Sequence, residues 1–253
     1  MRIHILGHSD SKLEGDTADW PLLVKGLLER DLGEPIVMTG SRLAPYGPRA
    51  LTYATRQVTE AAPEVVLLSV SAFACAVGLV YLRAGERFGE RAQRLYEATE
   101  HRYSRFASRS AAVSPAHDRF VRSIARKFIG TATLAPVEEV GAVYAGILNE
   151  LARAERLQVI VMGESFFSRG LQRANPGMVA KIETLRNIVR PAAEAHRFPW
   201  VDIEAAFATS GDREQYFLSD GVHNSAAGHH TVAQVVAAEI RRAASIEVDQ
   251  GHG

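Results

Sequence analysis

The chain has 253 residues, 29 Lys+Arg against 29 Asp+Glu, 47% apolar and 23% charged residues. That balance can bury enough apolar surface to fold, and it excludes a disordered chain. Zero net charge gives no reason to expect nucleic acid, and no apolar run approaches the roughly 20 residues of a membrane-spanning helix.

In chain order, short apolar runs alternate with helix-length amphipathic stretches. Residues 2–6 read as a strand and 17–31 as a helix; 35–39 and 49–61 repeat the pair, and 65–70 gives a third strand. Residues 75–130 read as helical, broken by Gly85, Gly89 and Ser114-Pro115. A helix over 137–156, a strand over 158–162, a helix over 178–196, a strand over 200–203 and a helix over 226–243 complete the pattern. Near-continuous apolarity in the strands suits a parallel sheet covered on both faces. The expectation is one α/β/α domain over 1–245 with a five-stranded parallel sheet. A helical insertion over 76–130 after the third strand acts as a lid, and 246–253 forms a disordered tail. Residues 83–127 hold eleven Lys/Arg and five Asp/Glu, about +6; this is either a solvated helical face or a dock for an anionic group. One cysteine, Cys75, allows no internal disulfide. With an N-terminal apolar stretch too short for a signal peptide, the expected location is the cytoplasm.

Function in an open parallel sheet gathers at the carboxyl ends of its strands. After the first strand comes Gly7-His8-Ser9-Asp10-Ser11, then Gly15. A serine on such a turn is either a helix cap or a hydroxyl raised over the sheet edge, where helix N–H groups favour developing negative charge. Far along the chain, Asp220 and His223 lie three apart across Gly221, just before the last helix. Such a turn can seat the carboxylate on one imidazole nitrogen and leave the other to take a proton from a serine; otherwise the two are a loop carboxylate and a surface histidine.

Taken together, these two segments resemble the SGNH (GDSL) hydrolase family. Its first block is Gly-Asp-Ser-x-x-x-x-Gly after the first strand, and its last is Asp-Gly-x-His-x-x-x-x-Gly-His before the final helix. Gly7, Ser9 and Gly15 match the first, with His8 for the usual Asp; Asp220, Gly221, His223, Gly228 and His229 match the last. The resemblance implies a flavodoxin-like three-layer fold and a cofactor-free, metal-free serine esterase acting on a small acyl ester or thioester. Ser9 is then the nucleophile, His223 the base and Asp220 its orienting acid. The amides of Ser9 and Gly40 hold the oxyanion. The third block departs: the family's Gly-x-Asn-Asp is here Ser71-Ala72-Phe73-Ala74, with Phe73 in place of the oxyanion asparagine. Ser71 is the candidate substitute donor, and losing one such donor costs about 100- to 1000-fold in turnover. The alternatives are an acyltransferase using the same intermediate, or a non-catalytic binding protein. Phe73 and Phe166 are expected to wall the substrate pocket, and an anionic carrier to contact the arginine-rich insertion.

Three rivals are weaker. Gly163-Glu164-Ser165-Phe166-Phe167 resembles a nucleophile elbow, with Asp202 and His223 following in α/β-hydrolase order, but its last glycine is Phe167. Asp220, His223, His229 and His230 fit no common zinc spacing. Cys75 pairs with no histidine motif and reads as a packing residue.

Overall fold

The computed structural model describes residues 1–8, 19–95, 97, 129–154, 156–209 and 212–250, the stretch 245–250 as backbone only. Five strands form one parallel sheet in the order β2-β1-β3-β4-β5: β1 (Arg2–Gly7), β2 (Val37–Arg42), β3 (Val65–Ser69), β4 (Gln158–Gly163) and β5 (Trp200–Asp202). Apart from the first residues of β1 and β4, the three central strands are buried throughout. This is what two covered faces demand of the Val/Ile/Leu runs that build them.

Alternate strand residues feed two cores. Ile3, Ile5, Leu67 and Ile160 pack with Trp20, Val24 and Leu28 of α1 (Trp20–Leu32) and with Val232, Val236 and Ile240 of α9 (Ala226–Gln250). Leu6, Val66, Leu68 and Val161 face α2 (Ala50–Ala61), α5 (Val137–Leu151) and α7 (Met178–Ala195). The short helices α3 (Phe73–Ala76), α4 (Val80–Phe88), α6 (Arg169–Ala174) and α8 (Ile203–Ala208), with a 3-10 turn at Arg213–Tyr216, lie in the connections. This is the expected α/β/α architecture.

Several boundaries differ from the sequence reading by a few residues, and two of the differences have a clear physical cause. β2 starts two residues later than expected because Pro35 has no N–H and the Ile36 N–H bonds the Glu29 carboxylate at 3.0 Å. The ladder begins where the Val37 N–H reaches the Met1 carbonyl and ends where the Leu43 N–H reaches that of Gly7. α9 runs to Gln250, which corrects the expected tail for 246–250; no glycine or proline interrupts the chain between Gly228 and Gly251. Of the proposed insertion, α4 is helical and the backbone groups of Leu79 and Ala132 bridge its two ends in an antiparallel pair; residues 98–128 lie outside the described residues. No helix among the described residues is long and apolar enough to cross a membrane.

Candidate active site

The segment between the 3-10 turn and α9 folds back on itself, bringing Phe217 against Asn224 in an antiparallel bridge. The Leu218 N–H donates to the His223 carbonyl at 2.8 Å, and the Gly221 N–H to that of Leu218 at 2.9 Å. Gly221 has φ +74°, and a Cβ there would collide with Ser168 Oγ, so the reversal demands glycine. Within this turn Asp220 Oδ1 accepts the N–H groups of Val222 (2.9 Å) and His223 (3.0 Å), while Oδ2 lies 2.6 Å from His223 Nδ1. An ionised carboxylate only accepts, so Nδ1 carries the proton and the lone pair sits on Nε2. Partial burial pushes the Asp220 carboxyl up, but the ring bond and the two backbone bonds outweigh it and hold the group below its ordinary range.

Ser9, and the whole of 9–18, lies outside the described residues. The chain on either side is fixed: β1 delivers Gly7 and His8 to the carboxyl rim of the sheet, and α1 begins at Trp20. A cavity of about 30 Å³ at that rim is lined by His8, Trp20, Ser69, Glu164 and Asn224, among others. The residue before Ser9 and the residue after His223 therefore border one space.

The turn after β3 occupies the same rim and is held from below. Tyr144 on α5 is fully buried; its hydroxyl accepts the Ser71 N–H at 2.8 Å and donates to the Ser69 carbonyl at 3.4 Å. The Ala72 N–H donates to the buried Glu164 carboxylate at 3.0 Å, and the Phe73 N–H to Ser71 Oγ at 3.3 Å. Phe73 opens α3 and packs against the α2/α5/α7 core. Gly40 does not follow its strand as expected. It is paired within β2 opposite Ile5. Since Val37 and Leu43 donate to β1, ladder alternation turns the Gly40 N–H away from β1, off the open edge of the sheet.

The rival constellations are not assembled. Asp202 pairs with Arg186 at 2.5 Å and caps α8 through the Ala205 N–H, while His223 is held by Asp220; Ser165 is buried without either. His229 Nδ1 accepts the Trp20 N–H at 3.1 Å and His230 meets Gln234, so the two histidines serve different partners. Among the described residues no group of three or more His, Cys, Asp or Glu is placed to hold a metal ion. Burial pushes the Cys75 thiol up to about 11, and it donates to the Ala72 carbonyl. Phe166 lies between two guanidinium groups, Arg186 at 5.6 Å and Arg213 at 6.0 Å from its ring centre. Tyr144, Glu164 and these arginines were missed by sequence reasoning. The only cue was an acidic residue directly after the apolar run Val159–Gly163 of β4.

The site is thus an oriented histidine over the carboxyl rim of a three-layer α/β/α sheet. Within this chain, residues 130–231 match the family described as GDSL-like Lipase/Acylhydrolase. Its fold is shared by Axe2, an acetylxylan esterase from Geobacillus stearothermophilus. The TM-score is 0.60 at 16% identity, covering 94% of this chain and 93% of the other. It is shared also by a lipase/acylhydrolase from Enterococcus faecalis, with a TM-score of 0.53 at 16% identity over 94% of both chains. The psychrotrophic esterase EstA from Pseudoalteromonas sp. gives 0.55 at 12% identity over 96% and 98%. No curated protein matches the chain at a significant level.

Proposed function

We propose that the chain hydrolyses a small carboxylic ester or thioester through an acyl-enzyme on Ser9. His223 Nε2 takes the Ser9 proton as Oγ attacks the carbonyl. The resulting imidazolium is stabilised by Asp220 and returns the proton to the leaving oxygen or sulfur. Water then repeats the cycle on the acyl group. The oxyanion is met by the Ser9 amide and by Ser71 Oγ, which accepts from the Phe73 N–H and keeps its own proton to donate. Gly40 is left out of this set, because its N–H turns off the sheet edge. Phe73 supplies no donor, which places turnover about 100- to 1000-fold below that of a relative with the asparagine.

The observation that carries this reading is the shared cavity bordered by His8 and Asn224, beside a turn in which Asp220 Oδ2 lies 2.6 Å from His223 Nδ1, the contact that orients a base. A second feature bears on substrate. Arg83 and Lys181 line a cleft of about 470 Å³ with Thr131 and Asn175, within the size range of small-molecule sites. Glu86 lines the cleft too and pairs with Arg83, so a substrate with an anionic group, including one on a carrier, would meet Lys181 there, and raised salt should then increase KM. A fluorophosphonate probe tests the nucleophile: labelling should occur at Ser9, vanish in Ser9→Ala and persist in Ser165→Ala. A folded wild-type protein that does not label would favour the non-catalytic binder.

A further inference from the structure

The loop after β4 carries a backbone outlier. Phe167 has φ +57°, a left-handed conformation that a bulky residue adopts only when its surroundings over-determine it. Its carbonyl accepts two side-chain donors, Arg213 Nε at 2.8 Å and Gln172 Nε2 at 3.2 Å. The guanidinium of Arg213 also forms a two-pronged pair with Glu204, and Glu204 Oε2 accepts the Phe166 N–H at 2.9 Å. Arg186, paired with Asp202, donates to the Glu164 carbonyl at 3.2 Å. Both guanidiniums stack on the Phe166 ring, and Arg213 lies 5.7 Å from the centre of the Phe217 ring. Both arginines and both carboxylates are largely buried, which makes these pairs costly unless every hydrogen bond is met; here each guanidinium holds its carboxylate and spends one further donor on a carbonyl of the same loop, Arg213 on Phe167 and Arg186 on Glu164.

That loop touches the turn that carries the candidate base. The Ser168 N–H donates to the Gly221 carbonyl at 3.1 Å, inside the Asp220–His223 turn, and no Cβ fits between them. From the other side, Arg213 belongs to the 3-10 turn that leads into Phe217, and Glu214 accepts the Arg169 N–H at 2.7 Å. Arg213 therefore joins the loop below the turn to the chain entering it.

We infer that Arg213, seated on Glu204, is a positioning residue: it locks the strained Phe166–Ser168 backbone as the platform on which the Asp220–His223 turn rests. The catalytic consequence rests on the proposed triad; the effect on the turn itself does not. The planar fork matters, since a guanidinium meets the two carboxylate oxygens with parallel N–H groups while its Nε–H reaches the carbonyl, a geometry that an ammonium does not match.

The test uses the full chain with Arg213→Lys, Arg213→Ala and Glu204→Gln, the last two being alternatives should one fail to fold. Two readouts are taken. The His223 Nδ1 proton, which a 2.6 Å bond to Asp220 moves far downfield in NMR spectra, should broaden or shift upfield in all three variants. Toward a p-nitrophenyl ester, kcat should fall about 100-fold, the cost of displacing a catalytic group by about 1 Å, with KM within about twofold. Guanidinium ion added to Arg213→Ala should recover part of kcat, and methylammonium should not. An unchanged Nδ1 resonance with unchanged kcat overturns the inference; so does a loss that guanidinium fails to restore. A wild-type protein without esterase activity or Ser9 labelling refutes the triad reading instead, and the Nδ1 resonance still decides the platform.

Discussion

Replacing Asp220 by Asn separates orientation from mere support. In Asp220→Asn the carbonyl oxygen can take over both backbone bonds now made by Oδ1, from Val222 at 2.9 Å and His223 at 3.0 Å, so the turn should keep its shape. That places the amide NH₂ opposite His223 Nδ1, where a carboxylate oxygen now lies at 2.6 Å. An NH₂ only donates, so the imidazole must present a lone pair at Nδ1 and carry its proton on Nε2. A base protonated at the nitrogen that faces the nucleophile cannot accept. The expected loss in kcat is about 10⁴-fold, or about 5.4 kcal/mol at 1.36 kcal/mol per decade. Stability should fall far less, by about 1 kcal/mol or about 2–4 °C, because the pair is half-exposed and the backbone bonds survive. The sign with pH follows from a folded Asp220 held below its ordinary value. Its stabilisation is fully present above the unfolded pKa of about 4 and is lost as pH falls through the lower folded value. The melting-temperature gap between wild type and Asp220→Asn should thus hold from pH 8 to 5 and close only below pH 4. Steady-state hydrolysis of a p-nitrophenyl ester with parallel thermal melts measures both. Retention of more than a tenth of the wild-type kcat by a folded Asp220→Asn would refute the reasoning.

Gly221→Ala forces a Cβ at φ +74° onto Ser168 Oγ, and should cost about 1–3 kcal/mol in chemical denaturation while lowering kcat. Tyr144→Phe strands the buried Ser71 N–H and should cost about 1–3 kcal/mol; a change under a few tenths would mean that the turn after β3 is not held this way. His4 is buried in β1, its Nδ1 at 2.8 Å from Thr39 Oγ1 and its Nε2 without a hydrogen bond, and burial lowers its pKa. Stability should therefore decline as pH falls from about 6.5 toward that lower value, and urea midpoints of His4→Gln should show a flatter profile over the same range.

Most of the fold was legible because β1, β3 and β4 are covered on both faces and so read as near-continuous apolar runs, His4 in β1 being the polar exception at their centre. β2 was misplaced for the converse reason. As an edge strand with no fully buried position, its six residues Val37–Arg42 leave no such run, and Gly40 passed for a turn residue. Asp220 and His223 were legible because their partnership is local, three residues across one glycine. Tyr144 was not: on α5 it occupies an ordinary core position, and its hydroxyl meets a backbone amide 73 residues away. Arg186 and Arg213 were hidden likewise, since nothing in sequence separates a stacked, two-pronged arginine from the solvated arginines around it.

The bond from the Trp20 N–H to His229, across 209 positions, is reinforced by Arg241 on Asp31 and by the packing of α1 on α9. A ribosome emitting this chain would have released the strand and helix that bracket Ser9 long before the helix that pins them. Until α9 emerges, part of the sheet face that α1 and α9 cover together stays bare. Closure of that face thus waits on α9, and a nascent chain stalled before it exposes the apolar surface that Val232, Val236 and Ile240 cover.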